Sequence, residues 1–292
     1  IESVLGSGGF GDVYQVAPTG RRTDRKYAMK TEYFDAKKRK LLNRLKVEMA
    51  VFSDIEKCSS PIDKIHFVGF IDKGKTNEFK FIIMEMVSYS LIDIRTNMMN
   101  NFTSTSTLIQ IARQTLQSIE ALHYIGYVHR DIKPHNFAIG RPPLDSKIYM
   151  LDFGIARKFL DNERRVRIPR KVVRFLGTVK YAARACHAEK EQCRRDDMEV
   201  WCYMMLEVYG TSRTLNQEMI AVLQQGQSAM ASQNRTQTDQ PKLQAPKKFL
   251  KVIDLIESYT YTCVPDYAAF HKILDEVVKE ENVSPAPFPP RR

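Results

Sequence analysis

No apolar stretch in the 292 residues reaches the ~18–20 positions that a membrane-spanning helix requires, so no membrane partner is expected. Cysteine is scarce and badly placed for cross-linking. Cys58, Cys186, Cys193, Cys202 and Cys263 are odd in number and form no C-x-x-C pair. That pattern points to reduced, packed thiols and to a cytoplasmic or nuclear protein rather than a disulfide-stapled secreted one. No His/Cys cluster has zinc spacing, and no RNP-type aromatic motif is present, so a nucleic-acid module is not expected. No fixed-period repeat divides the chain. What remains is a chain of 43% hydrophobic residues, enough for one large core or for two lobes sharing a cleft.

The most informative run is Tyr127-Val-His-Arg-Asp-Ile-Lys-Pro-His-Asn136, followed by Asp152-Phe-Gly154. The first has the H-R-D-x-K-x-x-N spacing of a catalytic loop and the second that of a D-F-G metal loop. Either alone recurs by chance; together, in this order, they are specific. Upstream, Gly6-Ser7-Gly8-Gly9-Phe10-Gly11-Asp12-Val13 has the G-x-G-x-x-G-x-V spacing of a hairpin laid over phosphates. Glycine is required there because backbone N–H groups must approach phosphate oxygens closely. The motif lies between short β-type runs with no ribose-binding acid in place, which argues against a dinucleotide fold. A further apolar run carries Lys30. Leu41, Leu45, Met49, Phe52 and Ile55 then recur at helical spacing, with Glu48 beside that stripe and able to face Lys30.

These motifs resemble those of protein kinases. The resemblance implies an α+β, bilobal fold: a small β-rich lobe over 1–84, a connector at 85–89, and a larger, mainly helical lobe over 90–283. Within the larger lobe, helices are expected over Leu108–Tyr124 and Asp197–Val208. Ile1 stands almost on the glycine motif, as expected of a domain excised from a longer chain. A Pro-rich tail over 284–292 should leave the domain. The resemblance also implies roles. Mg·ATP is the expected cofactor, with Asp152 and Asn136 holding metal, hard oxygen ligands as Mg²⁺ prefers. Asp131 orients the acceptor hydroxyl and takes its proton, Lys133 neutralises the γ-phosphate, and Lys30, paired with Glu48, grips the α- and β-phosphates. Val13 and Ala28 sandwich the adenine, Met84 is the gatekeeper, and the backbone of Glu85 and Val87 supplies the adenine hydrogen bonds. His129 is expected to pack under the D-F-G turn, and Asp197 to hold the catalytic loop from below.

Two segments are more specific. Lys133-Pro-His-Asn-Phe137 and Arg194-Arg-Asp-Asp-Met-Glu199 resemble the casein-kinase-one superfamily. Tyr149-Met-Leu-Asp-Phe-Gly-Ile-Ala-Arg157, Val166-Arg-Ile-Pro-Arg170 and Leu45-Lys-Val-Glu-Met-Ala-Val51 are most similar to its tau-tubulin kinase branch. The usual A-P-E ending of an activation segment is replaced by Gly177-Thr-Val-Lys-Tyr-Ala-Ala183. The Gln- and Ser-rich stretch over 211–246 departs from the family pattern and reads as an insertion or loop.

The net charge is +11. Arg164, Arg165, Arg167, Arg170, Lys171, Arg174 and Lys180 crowd the stretch after D-F-G. Arg170, Arg174 and Lys180 are therefore candidate anion-binding residues for acidic or already phosphorylated protein substrates, with cytoskeletal proteins among the candidates. The alternative for these cations is a solvated charged loop. Lys37-Lys-Arg-Lys40 reads as an exposed basic loop, with a nuclear-import signal as its alternative. The resulting expectation is a monomeric Ser/Thr kinase domain. Its rivals are a nucleotide-binding pseudokinase scaffold and a basic polyanion-binding module.

Overall fold

The computed structural model describes residues 1–8, 11–19, 25–33, 43–60, 64–97, 104–209 and 251–283. Gly9, Phe10, the basic run at 37–40, the stretch over 211–246 and the tail over 284–292 lie outside them.

The chain opens with strands β1 (Ser3–Gly8), β2 (Gly11–Val16) and β3 (Tyr27–Tyr33). Helix α1 (Arg44–Lys57) follows, then β4 (Phe70–Lys75) and β5 (Phe79–Glu85). The five strands form an antiparallel sheet in the order β1-β2-β3-β5-β4. Gly11, at φ +146°, begins β2 where a side chain would run into the Thr31 carbonyl, so only glycine lets β2 lie this close to β3. Helix α1 buries Leu45, Glu48, Val51, Phe52 and Ile55. The expected stripe is thus shifted slightly: Val51 is fully buried, whereas Met49 is only half-buried. The shift carries Glu48 to the sheet side.

After β5 the chain runs extended from Met86 to Tyr89 and is fastened to the larger lobe by Ser88 N–H to Ile139 O at 2.8 Å. Helices α2 (Leu91–Asn97) and α3 (Thr105–Ile125) follow. The Ser104 hydroxyl caps α3 by accepting from Thr107 N–H, and Gly126, in the left-handed region, ends it. Two small ribbons then shape the catalytic region: β6 (Tyr127–Val128) pairs with β9 (Arg157–Lys158), and β7 (Phe137–Ile139) with β8 (Ile148–Met150). Beyond lie α4 (Arg184–His187), α5 (Arg194–Tyr209), α6 (Lys251–Glu257) and α7 (Tyr267–Glu280).

The core of the larger lobe is where α3 meets α5 and α7. Ile111, Leu116, Ile119 and Leu122 of α3 are wholly buried, as are Met198, Trp201, Met204 and Met205 of α5. The Trp201 indole N–H donates to Thr115 Oγ1 at 2.9 Å, and its ring meets Phe270 edge-on. A rigid helical base of this kind lets short loops above it hold catalytic groups in fixed positions.

Candidate active site

The segment from His129 to Asn136 is anchored from beneath by Asp197. Its Oδ2 accepts from His129 N–H at 2.7 Å and its Oδ1 from Arg130 N–H at 2.9 Å. Arg130 has φ +68°, a strained value for a non-glycine residue, and its guanidinium donates twice to the Ile155 carbonyl, at 2.8 and 2.6 Å. With backbone and side chain both tied, the next residue, Asp131, has a defined direction. Asp131 Oδ1 accepts from Thr178 Oγ1 at 2.7 Å and Oδ2 from Lys133 Nζ at 2.8 Å. Lys133 Nζ also donates to Thr178 Oγ1 at 2.8 Å, closing a three-residue ring. Thr178 reaches the ring through Gly177, at φ +127°, where a Cβ would stand 2.9 Å from the Arg130 carbonyl. Asn136 Nδ2 donates to the Asp131 carbonyl at 2.7 Å.

The second cluster joins the two lobes. Lys30 Nζ donates to Glu48 Oε2 at 2.8 Å and to Asp152 Oδ1 at 2.6 Å. Burial works against the Lys30 charge, but the two carboxylates override it and raise its pKa. Burial likewise pushes the Asp152 carboxyl up, and the adjacent ammonium outweighs it, leaving Asp152 at about 2. Asp152 has φ +61°, which turns its carboxylate into the cleft while Phe153 goes the other way, fully buried. The Phe153 ring meets Phe52 of α1 and Phe67 at 5.8 Å each, and His129 at 5.6 Å. One aromatic column thereby links α1, which carries Glu48, to the loop that carries Asp131.

The second cluster, together with Asn136 of the first, lines a cleft of about 820 Å³ between the lobes. Its apolar part is lined by Val13, Ala28, Met84, Val87 and Leu151, its polar part by Gly6, Lys30, Glu48, Asn136 and Asp152. Ala28 and Met84 are register partners across β3 and β5, which places them side by side on one wall. Glu85 N–H is used by the Gly69 carbonyl at 2.9 Å, whereas the Val87 N–H has no partner among the described residues. Asp152 Oδ2 and Asn136 Oδ1 accept no hydrogen bond from the described residues, since the bonds above use Oδ1 of the acid and Nδ2 of the amide. A carboxylate and an amide oxygen left open beside a lysine fit Mg²⁺ held together with phosphate oxygens and water.

The structure thus brings Lys30, Glu48, Asp131, Lys133, Asn136 and Asp152 together, and Gly6, Val13, Ala28, Met84, Glu85 and Val87 around the same cleft. Gly8 closes β1, and the Ser7 hydroxyl donates to Asp12.

The anion candidates fare differently. Arg170 is locked to buried Glu191 through Nε at 2.5 Å and Nη2 at 2.9 Å, and Arg157 joins the same carboxylate at 3.1 Å. Lys180 donates to Glu207 at 2.7 Å. Neither is a free cation, because each has a buried carboxylate that the sequence alone did not point to. Arg165 pairs with Asp161, and Arg164 lies over the Tyr124 ring. Arg174, with Lys171, is exposed and has no ion-pair partner among the described residues. Thr178, Glu191 and Glu207 were missed by sequence reasoning. Only Thr178 left a signal, in following the glycine that replaces the expected ending of the segment.

A five-stranded lobe over a helical lobe, with a lysine–glutamate pair and an Asp–Lys–Asn loop in the cleft between them, defines a phosphotransferase of the protein kinase class. The protein kinase domain family matches residues 1–272, and the chain belongs to that family. It is similar to serine/threonine-protein kinase spe-6 of Caenorhabditis elegans, with 32% identity over 95% of this chain and 71% of that protein. A second C. elegans protein, ZK507.1, also named as a serine/threonine-protein kinase, is 39% identical over 65% of the chain and 56% of its own length. A Dictyostelium discoideum protein named in the same way is 32% identical over 70% of the chain and 39% of its length. The chain is a serine/threonine-protein kinase, and it spans from about two-fifths to about seven-tenths of these relatives. Among the described residues no helix is long and apolar enough to cross a membrane.

Proposed function

We propose that this chain transfers the γ-phosphoryl group of Mg·ATP to Ser and Thr hydroxyls of proteins, with a preference for acidic or phosphorylated substrates. The observation that carries the reading is the junction at Lys30. One ammonium within 2.8 Å of Glu48 and 2.6 Å of Asp152 ties the nucleotide wall to the proposed metal-binding acid, in a cleft also lined by Asn136, whose amide is bonded to Asp131.

In this reading the adenine lies between Val13, Ala28 and Leu151, with the Val87 N–H and the Glu85 carbonyl meeting its polar edge. Lys30 holds the α- and β-phosphate oxygens. Asp152 and Asn136 hold Mg²⁺, which supplies charge neutralisation on the phosphates. Asp131 accepts the proton of the acceptor hydroxyl as the new O–P bond forms and the bond to the β-phosphate oxygen breaks, releasing ADP. Lys133 stays beside the transferring group and balances its charge. Such chemistry depends chiefly on alignment and electrostatics, which the tied loop provides.

The segments resembling the casein-kinase-one superfamily and its tau-tubulin kinase branch support placing the chain there, with cytoskeletal proteins among its substrates and a cytoplasmic or nuclear setting. The exposed Lys171 and Arg174 support the acidic preference. Residues 1–84 act as the nucleotide lobe, 85–89 as the connector and 90–283 as the substrate lobe.

The test is ³²P transfer from Mg·ATP to casein by the wild type and by Asp152→Asn. Transfer by the first and not the second is expected. A folded wild type that binds nucleotide without transferring phosphate would make the chain a pseudokinase scaffold instead.

A further inference from the structure

One buried carboxylate beside the acceptor side of the cleft has no part in phosphoryl transfer. Glu207 lies in the last turn of α5, and its side chain is only 5% exposed. Its Oε1 accepts from Arg95 Nη1 of α2 at 2.5 Å and from Lys180 Nζ at 2.7 Å. The buried Tyr181 phenol faces the same group. Burial pushes the Glu207 carboxyl up, but the Lys180 hydrogen bond, the neighbouring Tyr181 phenol and Arg95 hold it below its usual range, so it is ionised. Three elements of the larger lobe therefore converge on one negative charge.

Lys180 sits two residues beyond Thr178, whose hydroxyl touches both Asp131 and Lys133. Successive Cα atoms are about 3.8 Å apart, so the Lys180 Cα lies no more than about 7.6 Å from that of Thr178, within side-chain reach of residues flanking a hydroxyl presented to Asp131. The Lys180 side chain is 54% exposed and long enough to reach such a peptide. Its ammonium is instead held on Glu207, and the trio carries one positive charge where Arg95 and Lys180 alone would carry two. The surrounding groups are mixed: Lys133 is cationic, while Asp93 is an acid close to His135.

We propose that Glu207 is a specificity-determining residue that restrains the attraction of the acceptor cleft for acidic and phosphorylated peptides by holding Lys180 and Arg95. The inference rests on reading this cleft as a peptide-phosphorylating site. Its consequence is that the acidic preference comes from Lys171 and Arg174 and is weaker than the crowd of cations around them suggests.

The test uses two fluorescent peptides with Ala in place of the acceptor Ser, one flanked by Asp residues and one by Ala. Fluorescence anisotropy with the full chain gives the acidic-to-neutral affinity ratio, alongside phosphate transfer to the matching Ser peptides. Glu207→Gln should raise the ratio roughly five-fold, the effect of removing one charge near a partly exposed contact. Lys180→Ala in the wild-type background should move the ratio less than twofold, yet it should abolish the gain in the Glu207→Gln background. An unchanged ratio in folded Glu207→Gln, or a several-fold fall with Lys180→Ala alone, overturns the proposal. Should Glu207→Gln not fold, the Lys180→Ala arm decides by itself. Failure of the wild type to phosphorylate either Ser peptide would count against the kinase reading, while the binding ratio would still judge Glu207.

Discussion

Thr178 shows what a single hydroxyl does for the catalytic loop. It donates to Asp131 and accepts from Lys133, so it fixes both the carboxylate proposed to face the acceptor and the ammonium proposed to face the phosphate. Thr178→Val keeps shape and removes both bonds. Steady-state assays should show kcat lower by roughly ten- to a hundred-fold, with little change in KM for ATP, because misplacement of a reacting group costs about that much. An unchanged kcat would mean that Asp131 is oriented without it. Lys30→Met acts differently, removing the ammonium that pairs with both Glu48 and Asp152. Transfer should fall by about two to three orders of magnitude, as with other lost electrostatic contacts to a reacting group. Circular dichroism should keep its wild-type shape; a collapsed spectrum would assign Lys30 to folding instead. Asp131 and Lys133 are legible in sequence because they stand two positions apart in a recognisable string. Thr178 lies 45 residues from Lys133, and nothing local announces that their side chains meet.

At the scale of elements, α1 is held to the rest of the site by aromatic packing as much as by the Lys30 pair. Phe52 is 3% exposed and meets Phe153 edge-on and Phe70 at 5.8 Å. Phe52→Ala would leave a cavity under the helix that carries Glu48, at a cost of about 3–5 kcal/mol. Urea unfolding should report the lost stability, and kcat should fall further than the folded fraction does, since Glu48 loses its support. A fall matching the folded fraction alone would separate the column from catalysis. The helical period of α1 and the apolar runs of β3 and β5 made those elements readable, as did the strong apolar face of α3. Strand β4, Phe-Ile-Asp-Lys-Gly-Lys, was not legible: charged residues alternate poorly there, and its place at the sheet edge leaves both faces partly wet. The β6–β9 and β7–β8 ribbons are two and three residues long, too short for any period to show.

Across the whole molecule, α3, α5, α7 and the catalytic loop meet at one buried imidazole. His123 of α3 places Nε2 2.8 Å from Asp197 Oδ2 and Nδ1 2.5 Å from the Tyr267 hydroxyl, and the neutral ring that burial favours donates to the carboxylate and accepts from the phenol. Burial depresses the His123 pKa despite the carboxylate beside it, and His66, also buried, is depressed for the same reason. In the unfolded chain such rings take up protons as the pH falls through about 6.5, while in the folded protein they resist. Stability from these groups is therefore complete above that pH and is lost as it falls. Burial alone would raise the Asp197 carboxyl, but His123, His129 and the Arg130 N–H together outweigh it and depress its pKa, so its own contribution is lost only at more acid pH. Thermal melts should show Tm declining between pH 7 and 5.5, though less steeply than the imidazoles alone would give. Burial raises Asp196 to about 6, and its proton uptake in the folded protein opposes them over the same range. His123→Gln, which can still donate to Asp197 and accept from Tyr267, should start lower but decline less steeply, with His66 and His135, both depressed by burial, supplying the remaining slope. Because Asp197 Oδ2 also receives His129 N–H, a proton forced onto His123 would make Tyr267 lose its acceptor and disturb the anchor of the Asp131 loop. Transfer activity should then fall at a higher pH than the melt itself, and a loss of activity that merely tracks unfolding would show that the imidazole supports the fold without setting the loop.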